Sequence, residues 1–309
     1  MSSDHPLSVV FAGFKATGKT TFLVSLWHTV LSPDVPGALF LEKVYEGDRD
    51  YINKRHSEWL AYEEVKRTQV DYDTPIRMTL RDRELDKLLQ LGIPDLSGET
   101  FKIQFEERRA SPTLVAAIRS AAGLAIFINP KEVKDPTKIR DALDAVDEEE
   151  GSSAEPGQEP TATEQGQEPA PRPMSEHSRE PADDFNASLC CTQVKYVDLL
   201  QQLVEHGPTR PLRCAIIVSA MDTLDDTEFK DRPEHFIRIN LSLLDQYLRA
   251  NRTLFDARVY GVSAQGGKYD AATIETLARL GAHRIRVCSE GRRDHNISRP
   301  VRWLAFGVE

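Results

Sequence analysis

Two glycines flank a short loop that runs straight into a lysine and a threonine: Gly13-Phe14-Lys15-Ala16-Thr17-Gly18-Lys19-Thr20. These residue types at this spacing suit the handling of phosphate. Glycines let successive backbone N–H groups turn inward and approach an anion closely. The lysine is a mobile cation for the β- and γ-phosphates of a nucleotide, and the hydroxyl after it is a ligand for Mg²⁺. The pattern GxxxxGK(S/T) carries weight only between a strand and a helix. Leu7 to Ala12 is a short apolar run of strand type, and Thr21 to Val30 continues at helical spacing through Phe22, Leu23, Leu26, Trp27 and Val30. Residues Gly13 to Thr21 are therefore the expected phosphate contacts, with the helix dipole behind them.

A carboxylate must hold the metal from a neighbouring strand. Ile76-Arg-Met-Thr-Leu-Arg-Asp82 alternates, Lys87-Leu-Leu-Gln-Leu-Gly-Ile93 is apolar, and Arg83 to Asp86 is turn-like. Together they predict an antiparallel hairpin. Its second strand ends in Pro94-Asp95-Leu-Ser-Gly98-Glu99, which puts Asp95 where a carboxylate binds Mg²⁺ directly or through water. Gly98 is placed to offer an N–H to a γ-phosphate. Glu99 is placed to orient a water, although its charge works against approach to phosphate.

The positioning elements follow in order. Ser111 to Ala122 reads as a helix, and Gly123 to Pro130 as a buried parallel strand. Helices are predicted near 193–205, 233–248 and 271–280, with strands at 212–218 and 257–262 and a helical segment from Pro300 to Phe306. Alternating strands and helices predict an α/β, three-layer fold with a mostly parallel sheet flanked by helices. Ligands in such sheets sit at the carboxyl ends of the strands.

Two of those strand ends carry further chemistry. The strand at 212–218 runs into Ser219-Ala-Met-Asp222, and the strand at 257–262 into Ser263-Ala264-Gln-Gly266. With the glycine loop and Asp95-x-x-Gly98, these resemble the ordered motifs of the TRAFAC-class, Ras-like GTPases, and are similar above all to bacterial double-GTPase type domains. The resemblance spans the chain apart from an acidic insertion. It implies one Ras-like domain over residues 1–309, a GTP/GDP ligand, Mg²⁺, and partner proteins (an effector or a second GTPase) in a bacterial defence or signalling complex. Asp222 would accept hydrogen bonds from guanine N1–H and the 2-amino group, and the Ala264 N–H would donate to O6, with Ser263 beside them. ATP would leave that carboxylate unpaired. Ser219 and Ala220 replace the family's Asn-Lys pair, which suggests a looser nucleotide. Lys15 would crowd the catalytic residue, supply charge to the γ-phosphate, or point to solvent. Thr74 is the candidate switch threonine and further metal ligand, with Thr68 as the other.

The net charge of −10 belongs to one stretch. Between Ala145 and Asp184 twelve acidic residues face only Arg172 and Arg179, so the rest of the chain is close to neutral. That balance gives no support to a nucleic-acid surface. The stretch is rich in Pro, Gly, Gln, Ser and Glu and repeats Gly-Gln-Glu-Pro at 157–160 and 166–169. Residues 146–184 are therefore expected to be a disordered insertion. No run approaches a membrane span, the residues before the first strand leave no room for a signal peptide, and Cys190, Cys191, Cys214 and Cys288 lack metal-ligand spacing. A cytoplasmic location is the expectation.

Three functions fit these residues. The first is a slow, Mg²⁺-dependent GTPase with Lys19, Gly98 and Glu99 as its catalytic residues, acting as a regulatory switch. The second is a nucleotide-binding interaction module without turnover. The third is a P-loop ATPase or kinase, for which Arg284, Arg286, Arg292 and Arg293 would form a lid rather than a solvated basic loop.

Overall fold

The computed structural model describes residues 7–32, 34–44, 48–63, 65, 76–93, 98–107, 109–134, 190–207 and 211–309. Apart from Cys190 they belong to one compact unit, residues 1–134 and 191–309. The segment expected to be disordered, 146–184, lies outside them.

The strand at the head of the chain, β1 (Ser8–Ala12), pairs in parallel with β5 (Ala121–Ile128). β5 pairs in parallel with β6 (Leu212–Val218), and β6 with β7 (Phe255–Ser263). A short antiparallel hairpin, β8 (Arg286–Ser289) and β9 (Arg292–Asp294), continues the sheet beyond β7. The order of this six-stranded sheet is β1-β5-β6-β7-β8-β9. A second, three-stranded sheet holds β2 (Phe40–Val44), β3 (Ile76–Asp82) and β4 (Lys87–Ile93), all antiparallel, and β4 lies beside β1. The predicted hairpin is β3–β4, paired from Ile76 with Ile93 to Asp82 with Lys87.

Period-two alternation sends the sheet's side chains into two cores. Phe11, Phe127, Ile217 and Val262 face one side, against α1 (Lys19–Leu31), α2 (Asp48–Leu60) and α9 (Arg299–Phe306). Val10, Ile126, Ile128 and Val218 face the other, against α4 (Pro112–Ser120) and α5 (Thr192–Glu205). The same layer holds α6 (Pro233–Asn240) and α7 (Ser242–Ala250). Two helices complete the described set, α3 (Gly98–Glu107) and α8 (Ala271–Leu280). The fold is α/β, a mostly parallel sheet with helices on both faces.

Three local readings need correction. The helix expected over 233–248 is two helices, broken at Leu241, whose φ of −133° and ψ of 48° are not helical. Leu241 is fully buried, so the apolar period runs through the break and hides it. The strand expected at 123–130 begins at Ala121 and stops at Ile128, because Ala121 already caps α4 in an extended conformation. Of the four arginines read as a lid or a solvated basic loop, Arg292 and Arg293 are exposed, while Arg284 and Arg286 are tied into the fold. Arg284 is buried, Arg286 pairs with Asp225 at 2.7 Å, and Arg293 pairs with Asp231 at 3.1 Å. Arg292 approaches Asp294 at 3.4 Å within β9.

Candidate nucleotide-binding site

β1 ends where its chain must turn sharply under β5. Gly13 has φ +151°, and a Cβ there would stand 2.8 Å from the Phe127 carbonyl oxygen and 2.9 Å from Thr17 Oγ1. Gly18 has φ +85° and caps α1, and a Cβ on it would press on Ser219 at 3.1 Å. Gly13 has no room for a side chain, and the positive φ of Gly18 disfavours one. The Thr17 hydroxyl donates to the Phe14 carbonyl at 2.8 Å. The Lys19 ammonium donates across the loop to the carbonyls of Gly13 at 2.6 Å and Phe14 at 2.9 Å. Thr20 and Thr21 stand in the first turn of α1, half-buried. Lys15 sits on the exposed rim of the loop.

Phe14 packs edge-on against Tyr196 of α5, ring centroids 5.1 Å apart. The Tyr196 hydroxyl donates to the Phe127 carbonyl at 2.5 Å, and burial raises its phenol above the ordinary range. Ala16 holds a left-handed φ of +60°, unusual for a residue with a side chain. Its carbonyl accepts the Asn129 side-chain amide at 2.9 Å, while Asn129 Oδ1 accepts the Lys131 N–H at 3.1 Å. Sequence reading missed Asn129. The only signal for it was its place directly after β5, at the carboxyl edge of the sheet.

The next two strand ends carry Ser219, Asp222, Ser263 and Ala264. The Ser219 hydroxyl donates to the Ile128 carbonyl at 3.2 Å, so it faces β5 and leaves the glycine-loop tie to Asn129. Ala220, at φ +48°, turns the chain into a 3-10 turn over Met221–Leu224 that carries Asp222. The Ser263 hydroxyl donates to Asp222 Oδ1 at 2.7 Å and accepts the Gly266 N–H at 3.2 Å. The Ala264 carbonyl accepts the indole N–H of Trp59 at 3.1 Å. The glycine loop, Asn129, Asp222, Ser263 and Ala264 thus gather at the carboxyl ends of β1, β5, β6 and β7, where ligands of open α/β sheets sit.

Gly98 and Glu99 open α3. Asp95, Thr68 and Thr74 lie outside the described residues. Among the described residues no group of three or more His, Cys, Asp and Glu side chains could hold a metal ion. A Mg²⁺ on this loop would be carried by the Thr20 hydroxyl, Asp95 and the phosphates themselves.

A strand-loop-helix phosphate loop at the carboxyl edge of a mostly parallel sheet defines a P-loop domain. The chain belongs to the Double-GTPase 1 family, whose model matches residues 10–304. No curated protein matches the chain. Among solved structures, the S. cerevisiae Ski7 GTPase-like domain bound to GTP is similar at 13% identity and a TM-score of 0.38, covering 91% of this chain and 50% of that one. A bacterial selenocysteine-specific elongation factor, EF-Sec, matches at 12% identity and a TM-score of 0.34, over 89% of this chain and 28% of that one. Methanosarcina barkeri Roco2 RocCORdC bound to GDP matches at 10% identity and a TM-score of 0.34, over 89% and 47%. The chain spans half or less of the length of these structures, and at such TM-scores the family match carries the assignment. Among the described residues no helix is long and apolar enough to cross a membrane.

Proposed function

We propose that this chain binds GTP and GDP with Mg²⁺ and hydrolyses GTP slowly, as a regulatory switch read by a partner protein. The observation that carries the reading is the Ser263–Asp222 hydrogen bond of 2.7 Å, at the same carboxyl edge of the sheet as the glycine loop. A carboxylate held at a fixed rotation is prepaid for a donor pair such as guanine N1–H and its 2-amino group, and adenine offers no such pair. Gly13 to Thr21 would hold the phosphates, with Lys19 on their outer oxygens. Thr20 and Asp95 would hold Mg²⁺, with Thr74 as a further ligand, and Mg²⁺ would neutralise charge on the phosphates. Lys19, Gly98 and Glu99 are the proposed catalytic residues. Glu99 motivates slow turnover, since a carboxylate orients water but repels the γ-phosphate. Membership of the Double-GTPase 1 family supports a second GTPase or an effector as partner, in a bacterial cytoplasmic defence or signalling complex.

The test is competition of GTP, XTP and ATP against a fluorescent guanine nucleotide, with hydrolysis followed in Mg²⁺ and in chelator. Wild type should prefer GTP and release phosphate only with Mg²⁺. Asp222→Asn should lose about 1–3 kcal/mol for GTP and gain XTP, because an amide can donate to the xanthine C2 carbonyl. A wild-type preference for ATP, or an unchanged ranking in the variant, rules out the guanine reading. GTP binding without phosphate release would leave the interaction-module function in its place.

A further inference from the structure

The guanine-reading loop is gripped from a helix far away in sequence. Trp59 stands one residue before the end of α2 and is 1% exposed. Its indole N–H donates to the Ala264 carbonyl at 3.1 Å across 205 residues. Above the indole lies the Arg284 guanidinium, 3.5 Å from the ring centroid and 4.4 Å from that of Tyr62. Arg284 Nη2 also donates to the Trp59 carbonyl at 2.8 Å, placing a cation on the last turn of α2, where the helix dipole is negative. Arginine suits this site because a planar, weakly hydrated cation stacks on aromatic faces better than an ammonium.

The same arginine closes on the loop with its backbone. Gly266 has φ +88°, and a Cβ there would meet the Arg284 carbonyl oxygen at 2.5 Å and its Cβ at 3.0 Å. The loop 263–266 is therefore pressed between Trp59 on one side and Arg284 on the other. Gly266 then passes its position on. Its N–H donates to the Ser263 hydroxyl at 3.2 Å, and that hydroxyl donates to Asp222 at 2.7 Å. The proposed O6 donor, Ala264, and the proposed N1 acceptor, Asp222, hang on one connected set of bonds that starts at Trp59.

We propose that Trp59 and Arg284 are positioning residues for base recognition, through which α2 sets the guanine selectivity of the loop. The inference rests on the guanine reading above. It makes α2, which packs on the glycine-loop helix α1, a reporter of which base is bound. The bonds of Trp59 and Arg284 run to the loop 263–266 and to α2, and not to the glycine loop, so GTP affinity should fall while ATP affinity holds.

Trp59→Phe keeps an aromatic face under Arg284 and removes only the N–H. Arg284→Lys keeps the charge and removes the planar stack. For both, affinities for GTP and ATP are measured by competition with Mg²⁺, and folding by thermal melting. The expected result is a GTP-to-ATP ratio reduced roughly tenfold, the weight of one well-placed hydrogen bond, through weaker GTP with ATP unchanged. An unchanged ratio in a folded variant overturns the proposal. If wild type shows no preference for GTP, the guanine reading itself has failed. Hydrogen exchange on wild type needs no variant: GDP, and not ADP, should slow exchange in residues 53–62. Equal protection by saturating GDP and ADP also overturns the proposal.

Discussion

Asn129 ties the glycine loop to the end of β5 through the Ala16 carbonyl. Ala16 holds a left-handed backbone at φ +60°, which costs a non-glycine residue about 1–2 kcal/mol. Something must over-determine it, and the Asn129 amide on its carbonyl at 2.9 Å does so. Asn129→Ser keeps an oxygen able to cap the turn after β5 and cannot span the distance to Ala16. The fold should survive, while bound nucleotide should dissociate roughly five- to tenfold faster, for about 1 kcal/mol of lost tie. Stopped-flow release of a fluorescent guanine nucleotide checks this, and an unchanged release rate means the loop is held by its own bonds alone. At this scale the glycine loop was legible because its residue types are dictated locally, by positive φ and missing Cβ space at Gly13 and Gly18. Asn129 was not legible, since its partner lies 113 residues away and asparagine after a strand is commonplace. Arg284 was misread for a related reason. Charge suggests solvent, and only the folded chain reveals the aromatic faces that bury it.

Among the elements, α2 contributes a second joint besides Trp59. His28 Nδ1 of α1 lies 3.0 Å from His56 Nε2 of α2, with the His28 ring 4.9 Å from that of Trp59. Burial first, then His56 and Arg284, lowers His28 from 6.5 to about 4, against a small opposing pull from Asp34. Burial and Arg284 lower His56 as well. Both rings are thus neutral in the folded chain where the unfolded chain binds protons. Stability contributed here is complete above pH 6.5 and falls as pH drops through the window toward about 4. The melting temperature should therefore decline between pH 7 and pH 5, by about 2–4 °C for each kcal/mol lost in a domain of this size. A His28→Gln, His56→Gln double variant should show a flatter pH dependence over the same interval. Equal slopes in both proteins would mean that these rings do not titrate on unfolding. The β3–β4 hairpin was legible because period two and a polar turn are both local. α2 was not: Asp48–Leu60 is polar overall, and it is held as a helix by tertiary bonds at its far end.

Over the whole molecule, Lys134 and Thr192, on either side of the acidic stretch in sequence, form a clasp. The Lys134 N–H donates to Thr192 Oγ1 at 2.8 Å, and the Thr192 N–H donates back to the Lys134 carbonyl at 3.2 Å. Thr192 Oγ1 also donates to the Glu132 carbonyl at 3.3 Å. The two ends of a 58-residue separation are thus already together, a few residues from Asn129 and from Tyr196, which both bear on the glycine loop. Loop-closure entropy grows only slowly with length, so shortening such an insertion costs the fold little. We expect that replacing residues 146–184 with a short Gly/Ser linker leaves the clasp closed and GTP affinity within about twofold of wild type. The charge of the molecule changes far more. The removed stretch carries twelve acidic residues against two arginines, so the shortened chain is close to neutral. Near-neutral proteins associate at low salt, so light scattering at neutral pH should rise for the shortened chain and fall again as pH leaves neutrality. Retained affinity with increased scattering would assign the stretch a solubilising role, separate from the nucleotide site. Lost GTP affinity in a chain that still melts cooperatively would show instead that the insertion holds the glycine loop through Asn129 and Tyr196.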